Sequence, residues 1–233
     1  MSSKFTKPPR IATEKEVRAS YDALHRQGSL RESRSHYRWV LKVLSPENGK
    51  KLLDVACGGG YFLREAEKTG VESWGVDIST VAAKQARQSA PRSAVLCGNG
   101  ESLPFRDEAF DYSVNLGSLE HFLNPEKGVR EMARVLRKEG KALLLLPNSY
   151  FLMTILNVWR AGATGRKTAQ AVDRWATRDE WVRLVEENGL KVTRVLKYNY
   201  RAREAPFKYK LIRPFIPLHL SYCFLFVCRK AWP

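Results

Sequence analysis

The chain has few cysteines and no long apolar run, and each of these shortages excludes a class of protein. Its 233 residues include only four cysteines (Cys57, Cys97, Cys223 and Cys228), without a C-x-x-C pair or a zinc-ligand spacing, which predicts reduced thiols in an intracellular protein. No apolar stretch approaches the roughly 18 residues that a membrane-spanning helix needs, and the first residues lack the apolar core of a secretory signal. We therefore expect a cytoplasmic protein.

Acidic residues are also scarce. The chain has 24 of them against 40 lysines and arginines, which gives a net charge of +16. The excess is confined to residues 1–51 and 189–233, while the centre of the chain is neutral. Such asymmetry favours an anionic partner, either a substrate or a membrane surface touched peripherally. A basic surface that serves solubility alone stays open as an alternative.

Short apolar runs alternate with helical patterns through most of the chain, which predicts an α/β fold with a mostly parallel sheet covered on both faces. The predicted strands are 51–56, 71–77, 94–97, 110–116, 141–146, 191–200 and 221–229. A helical pattern from Thr13 to Leu44, broken at Gly28, predicts an N-terminal helical cap. A helix over 125–136 precedes the fifth strand, and an insert over 149–176 follows it.

A glycine-rich loop and a distant carboxylate are the strongest functional signals. Residues 57–60, Cys-Gly-Gly-Gly, lie between the first strand and the next helix, where backbone can approach a ligand closely. Asp77 ends the second strand, where a carboxylate can accept both ribose hydroxyls. Leu63 replaces the third glycine of a dinucleotide loop, and Asp54 would repel a pyrophosphate, so a cationic adenosine-type ligand fits better.

Five motifs together resemble those of class I S-adenosylmethionine (SAM)-dependent methyltransferases, a family with a Rossmann-like seven-stranded sheet whose last strand is antiparallel. The resemblance is greatest to the small-molecule group that includes quinone-biosynthesis enzymes. The matching stretches are 52–60 (Leu-Leu-Asp-Val-Ala-Cys-Gly-Gly-Gly), 75–79 (Gly-Val-Asp-Ile-Ser), 97–105 (Cys-Gly-Asn-Gly-Glu-Ser-Leu-Pro-Phe), 110–116 (Phe-Asp-Tyr-Ser-Val-Asn-Leu) and 134–142 (Arg-Val-Leu-Arg-Lys-Glu-Gly-Lys-Ala).

The resemblance implies SAM as cofactor and a set of residues that binds it. The implied set is Asp54, Ala56, Gly58 and Gly60 at the methionine part, Asp77 at the ribose, Ile78 at an adenine face, Asn99, Gly100 and Glu101 at the adenine edge, Asn115 and Leu116 under the sulfonium, and Tyr21 closing over the cofactor. Two of these positions depart from the family. Ala56 stands where glycine is usual, and Asn99 stands where aspartate is usual.

The residues best placed for chemistry are Glu120 and His121, just after the fourth strand. A histidine titrates near neutrality and could act as a general base. Because methyl transfer mainly needs alignment of donor and nucleophile, a structural role for His121 and a solvated Glu120 stay open. The other three histidines are isolated, and we expect no metal site.

We expect residues 1–50 to form a basic tail and helical cap, and residues 51–233 to form the methyltransferase domain. Segments 149–176 and 201–220 follow carboxyl ends of strands and are expected at the substrate rim. Their mixture of basic and apolar residues predicts a small or lipid-like acceptor with an anionic part. An RNA methyltransferase and a SAM-binding protein without turnover are the alternatives, and the fourth motif lacks the sequence typical of nucleobase methylation.

Overall fold

A computed structural model describes residues 13–28, 32–162, 172–199 and 211–231. Seven strands form one sheet in the order β3-β2-β1-β4-β5-β7-β6. The strands are β1 Lys51–Val55, β2 Glu72–Asp77, β3 Ala94–Cys97, β4 Phe110–Leu116, β5 Leu136–Pro147, β6 Leu190–Tyr198 and β7 Cys223–Lys230. All neighbours pair in parallel except β7, which is antiparallel to both β5 and β6. The predicted fold class is confirmed.

Helices cover both faces of this sheet. Among the described residues they are α1 Glu14–Arg26, α2 Arg34–Leu44, α3 Tyr61–Ala66, α4 Thr80–Ser89, α5 Pro125–Val135, α6 Leu152–Ala161 and α7 Arg178–Glu186. Leu52 packs into the apolar cluster on one face and Leu53 into the cluster on the other, as expected when successive side chains alternate. A strand buried on both faces needs apolar residues at almost every position, which explains the continuous runs in the sequence.

The order of strands reverses between β1 and β4, and this places a crevice at their carboxyl ends. Helix α1 lies over that crevice because Asp22 bonds to the start of α4. Its carboxylate accepts from the Ser79 hydroxyl at 2.5 Å and from the Val81 amide at 3.2 Å. The predicted break between the first two helices lies at Gly28, which has a φ of +72°.

The predicted boundary between the fifth helix and the fifth strand was wrong. Helix α5 ends at Val135, and β5 begins at Leu136 rather than at Lys141. Leu136 is buried and pairs with Phe110, and the register then shifts before Tyr112. Arg137 donates to the Asp111 carboxylate at 2.8 Å across this irregularity. Burial of Leu136 and this ion pair therefore extend the strand through polar residues that carry no strand pattern.

The insert after β5 contains α6, and its residues 163–171 lie outside the described part of the chain. Residues 201–210 of the other predicted rim segment also lie outside it, as do residues 1–12 of the basic tail. In the described ranges, none of the helices has the length and apolar character required to cross a bilayer.

Candidate functional site

The glycine-rich loop is held against the end of β2 by Asp77. The Gly58 amide donates to one oxygen of the Asp77 carboxylate at 2.8 Å, and the Ser79 amide donates to the other at 2.8 Å. Gly60 has a φ of +75°, and a Cβ added to it would lie 2.8 Å from the Cα of Ala86. Glycine is required at this position because the loop passes directly against α4.

Ala56, which replaces the family's usual glycine, adopts a φ of +62°. This left-handed conformation costs an L-residue roughly 1 kcal/mol or more. The loop therefore keeps the glycine-type backbone despite the alanine. The chain stores a little strain here and retains the shape that brings Gly58 to Asp77.

Two buried carboxylates, Asp54 and Asp77, lie at the ends of neighbouring strands β1 and β2. Burial, together with the charge of Asp77, raises the pKa of Asp54 well above its usual range, and burial raises the pKa of Asp77. Within the described ranges no group donates a hydrogen bond to the Asp54 carboxylate. A ligand that brings positive charge would favour ionisation of both groups, whereas a phosphate would be repelled.

These groups open into a cavity of about 520 Å³, within the range of ~300–1,000 Å³ that is usual for small-molecule sites. Most residues implied by the resemblance line it: Tyr21, Asp54, Ala56, Gly58, Asp77, Ile78, Asn99, Gly100, Glu101 and Leu116, together with both chemical candidates Glu120 and His121. Chain segments far apart in sequence therefore meet at one site.

Gly60 and Asn115 do not line the cavity. The Asn115 amide donates to the Val55 carbonyl at 3.0 Å, and its oxygen accepts from the Leu119 amide at 2.9 Å. The expected position of Asn115 under a sulfonium stays a prediction, because protein groups occupy its side chain. Its hydrogen bonds tie the end of β4 to the end of β1 and fix the loop that carries His121.

Asn99 and Glu101 border the cavity, but protein groups occupy their polar atoms. The Asn99 amide donates to Glu14 at 3.1 Å and accepts from the Glu101 amide at 2.9 Å. The Glu101 carboxylate accepts from the backbone amide of Asn124 at 3.1 Å and from its side chain at 2.9 Å. These contacts shape the edge of the cavity and connect it to α1 and to the start of α5.

His121 is held in one tautomer. Its Nδ1 lies 2.7 Å from the carbonyl oxygen of Val172, and because a carbonyl only accepts, Nδ1 carries the proton. Nε2 consequently keeps its lone pair, 3.7 Å from Oε1 of Glu120. Burial lowers the pKa of His121, so the ring is a neutral base at pH 7.

Glu120 is buried rather than solvated, which excludes the solvated alternative. Burial and the charge of Asp173 raise the pKa of Glu120 to about 8. Its Oε2 has no hydrogen-bond partner in the part of the chain that the structure describes. At pH 7 the group is mostly a neutral carboxylic acid.

The segment that orients His121 comes from the insert after β5. Arg174 donates from its backbone to the Glu120 carbonyl at 3.1 Å and from its guanidinium to the carbonyls of Phe122 and Leu123. This clamp brings the Val172 carbonyl and the Asp173 carboxylate to His121. Sequence reasoning missed these positions because contacts across some fifty residues leave no local pattern.

The Tyr21 side chain interacts with acidic residues from two parts of the site, Asp77 on one side and Glu120 with Asp173 on the other. Its ring centroid lies 6.5 Å from that of His121, and burial followed by the charges of Glu120, Asp77 and Asp173 raises the pKa of its phenol. The side chain therefore faces both the glycine loop and the His121 loop. Closure of Tyr21 over a ligand stays a prediction.

A second part of the cavity is aromatic, and sequence reasoning did not assign it. Tyr37, Phe62, Trp175, Tyr198 and Tyr222 line it. The Tyr198 hydroxyl donates to the Glu32 carboxylate at 3.1 Å, and burial raises the pKa of Glu32. Of the predicted rim segments, 149–176 contributes lining residues, whereas the described residues of 201–220 contribute none.

We expect Glu120 to make the stability of the unliganded protein depend on pH. Because the pKa of Glu120 is raised to about 8 in the folded protein, the contribution of Glu120 to folding stability is fully present below about pH 4.5 and is lost as the pH rises through about 8. The difference in the free energy of unfolding between the Glu120→Gln variant and wild type should therefore shift in favour of the variant, by on the order of 2 kcal/mol, between pH 5 and pH 9. Chemical unfolding at both pH values measures this.

The exposed Glu126→Gln variant serves as the control, and its stability should follow that of wild type at both pH values. Parallel pH curves for wild type and Glu120→Gln would show that Glu120 ionises normally in the folded protein.

The described ranges contain no cluster of three or more His, Cys, Asp or Glu side chains able to hold a metal ion. The four cysteines are all unpaired thiols. The polar groups that the site offers to a ligand are the glycine loop, the carboxylates of Asp54 and Asp77, and the uncharged imidazole of His121.

Residues 53–144 match the family described as methyltransferase domain. Together with the sheet order, this match supports a domain of the class I SAM-dependent methyltransferase type in this part of the chain. Among its relatives is the demethylmenaquinone methyltransferase of Paenarthrobacter aurescens, which is 27% identical over 155 residues, or 66% of this chain and 60% of the relative. A second such enzyme, from Corynebacterium kroppenstedtii, is 35% identical over 43% of each protein.

The chain therefore spans about half of the length of the curated relatives that it matches. Among solved structures, a complex between a methyltransferase activator and a methyltransferase from Haloferax volcanii has a TM-score of 0.71 at 20% identity and covers 93% of this chain and 98% of that one. These values support the fold.

Proposed function

We propose that the protein transfers a methyl group from SAM to a quinone-type aromatic acceptor. The observation that carries the cofactor assignment is the pairing of two buried carboxylates with a glycine loop at the strand ends. SAM carries an ammonium and a sulfonium, which suit the neighbourhood of Asp54. Each oxygen of Asp77 can accept a ribose hydroxyl in addition to its present amide donor.

The acceptor assignment rests on the aromatic part of the cavity. Flat aromatic side chains favour a flat, apolar ring, and the curated relatives named above methylate demethylmenaquinone, as their names state. No lysine or arginine among the described residues lines the cavity, whereas Glu32, Glu120 and Asp173 do. We therefore propose an uncharged acceptor and not the anionic one that the composition suggested.

The proposed chemistry is a direct displacement at the methyl carbon. The bond from the methyl group to sulfur breaks as the bond to the acceptor forms, and the acceptor loses the proton that the methyl group replaces. Nε2 of His121 holds a lone pair inside the cavity and takes this proton. The walls around α1 and the insert exclude water and align the two reactants.

Incubation of the protein with isotopically labelled SAM and a reduced demethylated quinone tests this proposal. We expect the mass of the quinone to rise by one labelled methyl group, as measured by mass spectrometry. A protein that binds SAM but labels neither this quinone nor any metabolite, lipid or RNA fraction of a cell extract would be a SAM-binding protein without turnover. Label in the RNA fraction alone would assign an RNA substrate.

A further inference from the structure

Helix α6 is apolar, yet none of its residues is buried. Its sequence is Leu-Met-Thr-Ile-Leu-Asn-Val-Trp-Arg-Ala, and Trp159 exposes 81% of its surface. Ile155 and Val158 are also exposed, at 40% and 45%. A helix of this composition in a water-soluble fold normally buries its apolar face against the core. Among the described residues, the side of α6 that carries Ile155, Val158 and Trp159 therefore stays exposed.

A second exposed apolar group follows β6, between residues 211 and 216. Phe215 is 84% exposed, and Leu211 and Ile212 are exposed as well. The backbone here is fixed, because the Lys197 ammonium donates to the carbonyls of Pro214 and Ile216 at 2.8 and 3.0 Å. Fixed backbone with exposed large apolar side chains is typical of an interaction site.

Asn148 connects the two groups at the end of β5. Its side-chain amide donates to the carbonyls of His219 and Ser221, and its oxygen accepts from the Tyr150 amide. The ring of Phe151, next to α6, lies 5.1 Å from that of Tyr222, which lines the aromatic part of the cavity. The two exposed groups, which we call the apolar rim, are therefore connected through residues 148–151 and 219–222 to Tyr222, which lines the cavity.

The charge around the apolar rim is positive. Arg160 and Arg213 belong to it and form no ion pair with the described residues, and residues 211–222 contain no acidic side chain. In the sequence alone, the stretches 163–171 and 201–210 contain six lysines and arginines and one acidic residue, Glu204. Exposed tryptophan and phenylalanine combined with basic residues are the features of surfaces that insert shallowly into anionic bilayers.

We propose that the apolar rim docks on an anionic lipid bilayer, so that the cavity receives its acceptor from the membrane. The basic excess then serves the membrane surface rather than the acceptor itself. This inference rests on the proposed function for the nature of the acceptor, but the binding of the rim to lipid stands independently of any reaction.

Co-sedimentation of the full chain with vesicles tests the docking. We expect binding to vesicles of phosphatidylcholine with phosphatidylglycerol at low salt, and weaker binding in 0.5 M salt or without the anionic lipid. The double variant Trp159→Ser with Phe215→Ser should bind at least about tenfold more weakly. Leu96→Ser, which alters a residue 38% exposed on edge strand β3 at the other end of the sheet, should bind like wild type.

Brominated lipids locate the tryptophan directly. They should quench the fluorescence of wild type on vesicles, and Trp159→Phe should lose most of this quenching while still binding. Absence of vesicle binding by wild type at low salt, equal binding by the double variant, or tighter binding to RNA than to vesicles would each overturn the proposal.

The two proposals can fail separately. If both are right, the double variant keeps its SAM affinity and its activity on a short-chain, water-soluble quinone, and loses activity only on acceptor embedded in vesicles. Vesicle binding by a protein that does not methylate a quinone would overturn the proposed function and leave the docking intact. Unchanged activity of the double variant on the embedded acceptor would overturn the docking as the route of the substrate.

Discussion

Asp77→Ala is expected to weaken SAM binding at least about a hundredfold. The variant removes the carboxylate proposed to accept the ribose hydroxyls, and charged hydrogen bonds of this kind contribute roughly 1.5–3 kcal/mol each. It also frees the amides of Gly58 and Ser79, which both donate to Asp77 at 2.8 Å. The glycine loop therefore loses its attachment to β2. Isothermal titration calorimetry with SAM measures the change.

The isosteric Asp77→Asn variant separates these two effects. Its remaining oxygen can still accept from one of the two amides, so the unliganded melting temperature should fall less than in Asp77→Ala. Its SAM affinity should still drop about tenfold or more, because the amide nitrogen cannot accept from a hydroxyl. A folded Asp77→Ala protein that binds SAM within threefold of wild type would remove Asp77 from the cofactor site.

His121→Ala is expected to lower kcat about a hundredfold while leaving the dissociation constant of SAM within about threefold of wild type. The reason is that general bases typically contribute a factor of ~10²–10⁴, whereas the proposed cofactor contacts belong to other residues. Single-turnover methyl transfer with saturating SAM measures the rate. The burial that lowers the pKa of His121 keeps its Nε2 unprotonated at pH 7.

The control for a merely structural role is His121→Asn. Its amide can still donate to the Val172 carbonyl, which accepts from Nδ1 at 2.7 Å in wild type, but the variant has no basic nitrogen that could take a proton. We expect its kcat to fall as far as that of His121→Ala. A rate close to wild type for His121→Asn would leave His121 as a positioning residue and exclude it as the base.

The sheet was predictable because its signals are local. Each central strand has an apolar run in the sequence, Asp77 lies at the end of β2, and Gly60 lies directly before α3, where the motif places them. The start of β5 was not predictable, since Leu136 continues the helical periodicity of α5 and becomes a strand residue only through pairing with Phe110. Tertiary pairing overrides local pattern at this boundary.

The cofactor side was predicted more completely than the acceptor side. Motif residues mark Asp54, Gly58 and Asp77 within short stretches of sequence. In contrast, Glu32 and Tyr198 are joined by a hydrogen bond across 166 residues, and no pattern connects them. The hydrogen bonds of Asn115 could not be predicted for a related reason: the sequence shows a polar residue at a strand end, whereas only the structure shows that the Val55 carbonyl and the Leu119 amide occupy its side chain.

The most direct test of the cofactor site is calorimetric titration of SAM into the wild-type chain. We predict one bound SAM per chain, with a dissociation constant in the micromolar range or tighter. A titration without heat in buffers of different ionisation enthalpy, together with an unchanged melting temperature at millimolar SAM, would contradict the assignment.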